Sequence, residues 1–200
     1  MRYVIGIDEV GRGSLAGPVM VAAVAVPTDG KWLKTNGVSC KLRDSKKLSH
    51  RQRGEWFGYF KNHPKIVYAV ARVYPRQIEK RNVSQAANVA ALRAFRRLVT
   101  RYSLFSTRYQ VFLDGGLFLG RGRQPQNAKT VIKGDEKIRA VAAASIIAKV
   151  HRDRAMVCLA KQYPQYGFEI HKGYGTKAHL RAIKKHGPSE AHRLTFLRFS

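Results

Sequence analysis

Residues 3–26 read YVIGIDEVGRGSLAGPVMVAAVAV, and the order of signals within them decides the fold. Tyr3 to Asp8 is a short apolar run. Val19 to Val26 is a second, β-branched and bounded by Pro18 and Pro27, so both predict strands. The glycines between them, Gly11, Gly13 and Gly17, invite comparison with a dinucleotide-binding loop. That loop needs a helix opening at the glycines, so that its N-terminus meets the pyrophosphate, and here Pro18 and a strand follow instead. No Gly-Lys-Ser/Thr follows either, which excludes a loop of the nucleoside-triphosphatase type. Further along, Ile66 to Tyr74 alternates as a strand does, and Tyr109 to Leu113 and Thr130 to Ile132 predict two more. Ser49 with Gln52 resembles a capping box, opening a helix on which Trp56, Phe57 and Phe60 share a face. Asn82 with Gln85 gives the same start signal to a longer helix carrying Val89, Leu92, Phe95 and Val99 at helical spacing. Ile138 to about Leu159 predicts a third helix, whose small first-turn residues let it lie close to a sheet. The glycine- and arginine-rich stretch from Gly115 to Ala128 predicts a surface loop. This order predicts an α/β chain with a mixed sheet.

The 200 residues, 44% apolar, suffice for one substantial core, and no linker or repeat divides them. Lys and Arg number 38 against 12 Asp and Glu, a net charge of +26 that predicts a polyanionic partner bound strongly, without sequence preference and with steep salt dependence. No apolar run approaches the roughly 20 residues that span a bilayer, and residues 1–6 lead into a strand-like segment in place of a signal peptide, so the expected location is cytoplasmic. Cys40 and Cys158 are too few for a disulfide framework or a multi-cysteine zinc site and are expected as free thiols; any metal must be held by oxygen or histidine.

Against this cationic background the acids stand out. Asp8 ends one strand, Asp114 ends another before Gly115-Gly116, and Asp135 follows a third across Lys133-Gly134. Any one of them reads equally as a turn aspartate, and Asp135 stands where an N-cap for the following helix would stand. Three at strand ends can converge on one point. Asp8 and Glu9 raise a geometric difficulty, because successive strand side chains point to opposite faces, so the pleat is expected to break there. Like charges about 4 Å apart repel by roughly 4 kcal/mol at a partly buried site, a cost that divalent cations remove. Hard oxygen ligands suit Mg2+ or Mn2+, and a pair of such ions suits phosphodiester hydrolysis.

The blocks GIDEVGRGSLAGPV, RDSKKLS, VFLDGG, KGDEKIRAVAAASIIAKVHRDRAM, HKGYGTKAH and HRLTF, in this order from residue 5 to residue 196, together resemble ribonuclease HII, the type 2 ribonuclease H. The resemblance implies a ribonuclease H-like fold, a central mixed five-stranded sheet flanked by helices. Residues 1–160 would form the catalytic part and residues 161–200 a small helical C-terminal cap of the same compact unit, with a short helix over Lys177 to Lys185. It implies an endonuclease that cuts the RNA strand of RNA/DNA hybrids and incises 5′ of single ribonucleotides embedded in duplex DNA, leaving 5′-phosphate and 3′-hydroxyl ends, in ribonucleotide excision repair. Its metal-binding acids fall on Asp8, Glu9, Asp114 and Asp135, with Mg2+ or Mn2+ as cofactor. Val10, Ser14 and Gly116 depart from the pattern without removing an acid.

Gly11, Arg12 and Gly13 resemble the family's junction-reading loop, where glycines let the backbone approach a ribose and sense its 2′-hydroxyl. Tyr174 resembles the tyrosine that stacks on the following deoxyribose. Ser45, Lys46 and Lys47 resemble its phosphate contacts, placed before a helix N-terminus. Asp153 reads as structural, paired with a nearby arginine, while Lys172 and His179, which flank Tyr174, fit phosphate contacts and a terminal-helix surface equally well. Residues 196–200 offer no docking peptide, and the unbroken chain suggests a monomer. Two alternatives remain. A non-catalytic basic nucleic-acid-binding module would leave the acids without purpose, and another ribonuclease H-like nuclease, type 1-like or a resolvase, would share metal and fold but differ in the sugar test.

Overall fold

In a computed structural model, residues 2–33, 37–104, 108–120 and 124–197 are described. Arg121 to Arg123, within the glycine- and arginine-rich stretch, and Arg198 to Ser200 lie outside them. Five strands, β1 (Arg2–Val10), β2 (Val19–Pro27), β3 (Val67–Val73), β4 (Arg108–Asp114) and β5 (Ala128–Val131), form one mixed sheet in the order β3-β2-β1-β4-β5. The β1–β2 and β2–β3 pairs are antiparallel, and β1–β4 and β4–β5 are parallel. Every residue of β2 is buried, as its unbroken apolar sequence requires of a strand covered on both faces.

The helices among the described residues are α1 (His50–Asn62), α2 (Pro75–Arg81), α3 (Val83–Arg101), α4 (Gly134–Lys137), α5 (Arg139–Gln162), α6 (Phe168–His171) and α7 (Lys177–His186). None is long and apolar enough to cross a membrane. Ser49 and Gln52 form the reciprocal capping box, and Trp56, Phe57 and Phe60 are buried together. Asn82 caps α3 by accepting from the Gln85 amide at 3.0 Å. The face of α3 that meets the sheet differs from expectation. Ala86, Ala87, Ala90, Ala91, Ala94 and Leu98 are fully buried, while Val89, Leu92 and Phe95 flank them half-exposed. Alanines permit the closest approach of helix to sheet, so α3 repeats the device expected only of α5. Helix α2, which Pro75 opens at its first turn, was not expected from the sequence.

Two loop expectations are corrected. Leu117 and Leu119 are buried in the core beneath α3, and the Phe118 amide donates to Asn88, so the segment after β4 is anchored at its start. Ile132 lies beyond β5 and is 76% exposed.

On the other face of the sheet α5 crosses β1 at Gly6. A Cβ there would stand 2.1 Å from the Ala140 carbonyl carbon and 2.2 Å from its oxygen, both backbone atoms that cannot yield. Gly6→Ala is therefore expected to destabilise the fold by about 3 kcal/mol, lowering Tm by roughly 6–12 °C for a chain of this size. Thermal unfolding followed by circular dichroism checks it; a Tm within error of the parent would mean that the contact is looser than described.

Candidate active site

The strand register places the acids. Alternation along β1 sends Ile5, Ile7 and Glu9 toward α3 and Gly6 and Asp8 toward α5. The expected break in the pleat is absent. β1 stays paired with β2 through Asp8, Glu9 and Val10, whereas its pairing with β4 ends at Ile7 opposite Leu113. Beyond that point β1 has a free edge, and carboxylates from its opposite faces bend round the end of β4 to meet. One carboxylate oxygen each from Asp8, Glu9 and Asp114 lies within 4.8 Å of the others. The Glu9 amide donates to Asp8 Oδ1 at 2.7 Å, and the Gly134 amide donates to Asp114 Oδ1 at 2.6 Å. Asp135 stands outside this triad but lines the same cavity of about 540 Å³, beside Asp114 and Asp44. It does not cap α5. It belongs to the single turn α4, which Lys133 enters in a left-handed conformation.

The electrostatics are those of an acid cluster short of countercharge. Burial, then the charges of Glu9 and Asp114, pushes the Asp8 carboxyl well above its usual range, against hydrogen bonds from Ser145 and the Glu9 amide. Burial likewise raises Glu9, opposed by Arg12, whose Nη1 donates to Glu9 Oε1 at 3.2 Å. Burial, Asp114 and Asp44 raise Asp135. Glu9 Oε2 is buried with no hydrogen-bond partner among the described residues, a lone pair set for a cation. Three carboxylate oxygens gathered this closely fit a hard divalent ion better than a soft one.

A carboxyl whose folded pKa lies above its unfolded value stabilises the fold least once pH has risen through the folded pKa. Metal-free protein is thus expected to lose stability as pH rises above the ordinary carboxylate range, and Asp8→Asn to remain flatter. At pH 8 in EDTA the Asn variant should melt higher by roughly 6–12 °C, since repulsion between charges this close is about 3 kcal/mol and each kcal/mol is worth about 2–4 °C. Scanning calorimetry reads both curves; a variant that melts lower in EDTA at pH 8 would show the cluster to be neutral there.

The remaining expected site residues fall as follows. Gly11, Arg12, Gly13, Ser45, Lys46 and Tyr174 all line the cavity. Ser45 is turned inward, its Oγ 2.8 Å from Ser145 Oγ, and either hydroxyl can donate to the other. Burial works against the Lys46 ammonium, but Asp44, Asp135, Asp8 and Asp114 together hold it above the usual lysine range. Lys47 stays outside the cavity and pairs with Glu136 at 2.9 Å. Arg12 Nη2 donates to Ser84 on α3 at 2.8 Å, which fixes its guanidinium beside the loop.

Several contributors could not be read from the sequence. Asp153 pairs not with an arginine but with Lys149, at 2.8 Å, and Lys149 lines the cavity. Arg152 and Arg193 are fully buried and bond to backbone carbonyls. Arg193 reaches Gly11 at 2.7 Å, Arg12 at 2.9 Å and Gly17 at 2.9 Å, while Arg152 reaches Pro18, Ala16 and Lys172. Together they hold residues 11–18 from behind. Burial, with Arg152 close by, draws Arg193 down to about 9. Tyr174 lies over Arg152, its ring centroid 5.4 Å from Cζ. His179 is not surface: fully buried, it lies beside the Tyr174 carbonyl at 2.9 Å through Nδ1 and 3.1 Å from His192 Nε2, and burial draws it down to about 4. Lys172 contributes its carbonyl to Arg152. The spacing Ser145, Lys149, Arg152, Met156, one face of α5, was the available signal.

The family model described as ribonuclease HII matches residues 5–199. The chain belongs to the ribonuclease HII family. A ribonuclease HII from Pelodictyon phaeoclathratiforme is 43% identical over 194 residues, 96% of this chain and 88% of that one. Among solved structures, ribonuclease HII of Archaeoglobus fulgidus, in complex with PCNA, superposes with a TM-score of 0.70 at 25% identity, covering 99% of this chain and 97% of that one. Bst-RNase HIII in complex with Mn2+ shares the fold, with a TM-score of 0.69 at 23% identity over 96% of this chain and 66% of that one. Membership of the ribonuclease HII family makes this chain a ribonuclease H, a hydrolase that cleaves nucleic acid endonucleolytically, and sets aside the non-catalytic module.

Proposed function

We propose that this chain hydrolyses the RNA strand of RNA/DNA hybrids and incises 5′ of a single ribonucleotide embedded in duplex DNA, leaving 5′-phosphate and 3′-hydroxyl ends. The observation that carries the reading is the Asp8–Glu9–Asp114 triad, with its unpartnered Glu9 oxygen, at the floor of a cavity walled by Gly11 to Gly13 and Tyr174. Asp8, Glu9, Asp114 and Asp135 would hold Mg2+ or Mn2+. Two such ions supply activation of water and stabilisation of the leaving oxygen.

The chain's own residues do the rest. Ser45 and Ser145 orient the Asp8 carboxylate through a relay of two hydroxyls. Lys46 and Lys149 bring positive charge to the cavity wall, where the scissile phosphate is drawn in. The loop at Gly11 to Gly13 offers backbone groups to the 2′-hydroxyl, and Tyr174 offers a flat ring to the next sugar. The polypeptide from residue 161 onward acts as a substrate cap, packing Tyr166, Phe168 and Ile183 against Ala16 and Met156. Monomeric action is part of the same proposal.

The test is an end-labelled RNA/DNA hybrid incubated with Mg2+, with Mn2+ and with EDTA. Cleavage with either ion, products extendable by a polymerase from their 3′-hydroxyls, and no cleavage in EDTA are the expected results. Cleavage that persists in EDTA would sink the metal assignment.

A further inference from the structure

Away from the acids, β3 forms one edge of the sheet, and a groove of about 730 Å³ runs along it. Its walls include Tyr68 from β3, Arg96, Arg97, Thr100 and Arg101 from α3, and His151 from α5. Register carries Asp8 through Ala22 to Val70 and Gly6 through Val24 to Tyr68, so the groove lies level with these residues and is set apart from the acids sideways across the sheet. β2 stands between β3 and β1, which puts two strand spacings, about 10 Å, between the groove edge and the strand that carries Asp8. No residue lining the acid cavity lines this groove.

Its chemistry is that of an anion receptor. No carboxylate lines it, and among the described residues Arg72, Arg96, Arg97, Arg101 and Arg154 take part in no ion pair. Arg97 is held in place by donating to the Val70 carbonyl at 3.0 Å. Neighbouring guanidiniums lie on aromatic rings, Arg154 at 4.7 Å from the Phe57 centroid and Arg101 at 5.7 Å from that of Tyr102, which leaves their N–H edges open. His151 closes the groove with its ring packed against Phe57 and Tyr68, centroids 5.4 Å and 6.0 Å away, and its Nε2 is buried without a hydrogen-bond partner among the described residues.

We propose that this groove is a second nucleic-acid site, which grips the phosphate backbone of a duplex outside the cleavage cavity. The spacing selects an extended ligand over a compact one. Arg93, Arg97 and Arg101 recur every four residues along α3, about 6 Å apart on its axis, so the row extends over about 12 Å. One strand of a duplex presents a phosphate about every 3.4 Å of its axis, and several fall within that row. The site reads no bases, and its contribution is to keep the enzyme on a duplex while the cavity is empty of ribonucleotide.

The test uses the full chain and an all-DNA duplex, which offers no ribonucleotide to cut. Affinity is measured by fluorescence anisotropy between about 50 and 200 mM salt. Arg96→Gln/Arg101→Gln is expected to make the slope of log K against log salt shallower by about 1.8, about 0.9 for each phosphate left without its arginine. Arg2→Gln/Lys31→Gln removes the same charge from the far end of β1 and β2 and is expected to change the slope by less than about 0.5. Single-turnover cleavage of a hybrid at saturating enzyme should match the parent in both, so failure here leaves the hydrolytic reading standing. Equal slopes for the two double variants overturn the proposal. So does binding of inorganic tripolyphosphate at His151, seen in its imidazole proton resonances, with an unchanged DNA slope, because that marks a small-anion site.

Discussion

Asp8→Asn and Asp114→Asn are each expected to lower single-turnover cleavage of an RNA/DNA hybrid by at least about 10³-fold while leaving substrate affinity within about threefold of the parent. Removing one preorganised electrostatic partner of a transition state already costs about 10²–10³-fold, and here the oxygen removed also belongs to the cation site. Affinity survives because it rests on a chain with a net charge of +26, to which one acid fewer adds attraction. Asn keeps the shape of the carboxylate, so the backbone amides of Glu9 and Gly134 retain their acceptors. Rapid-quench kinetics and anisotropy on the same duplex separate the two effects. Turnover within tenfold of the parent in either variant would break the assignment of these acids.

A duplex with one embedded ribonucleotide is expected to be incised on the 5′ side of that nucleotide about 10⁴-fold faster than the all-deoxy duplex, the discrimination that a buried site built to hydrogen-bond a hydroxyl can reach. The loop's geometry explains why binding charge cannot substitute. Gly11 has φ +85°, and a Cβ there would lie 2.1 Å from Arg152 Nε, the same guanidinium that supports Tyr174. Gly11→Ala should therefore cost most of the incision at a single ribonucleotide, about 10²-fold or more, by displacing both sugar-reading elements at once. Gel analysis of the two duplexes with both proteins decides it. If long hybrids are cut while the single-ribonucleotide duplex stays whole in the parent, the roles given to Gly11, Arg12, Gly13 and Tyr174 are wrong.

What the sequence made legible is what local chemistry determines. The strand through Asp8, which runs on to Val10 and does not end at the acid, the strand ending in Asp114 and the Ser49 capping box need only near neighbours to be read. The meeting of Asp8 with Glu9 was not legible as geometry, because it depends on where β4 stops against β1, a property of register between segments about a hundred residues apart. Arg152 and Arg193 were hidden for a different reason. In so basic a chain an arginine reads as solvated, and nothing local marks the two that are fully buried among carbonyls. His179 was missed likewise, since its partners His171 and His192 come from the short helix α6 and a bridge that only the folded chain brings together.

Helix α5 touches every part of the candidate site from one face. Ser145 meets Asp8, Lys149 the cavity wall, Arg152 the glycine loop and Tyr174, and Met156 the backbone at Gly17 and Gly173. From Ser145 to Met156 is about 16 Å of helix rise. The gap between where an ester would be cut and where a sugar would be inspected is thus gauged by a stiff rod and not by a loop. Adding one residue to that rod would swing everything beyond it by about 100°, disconnecting inspection from cutting without touching a single acid.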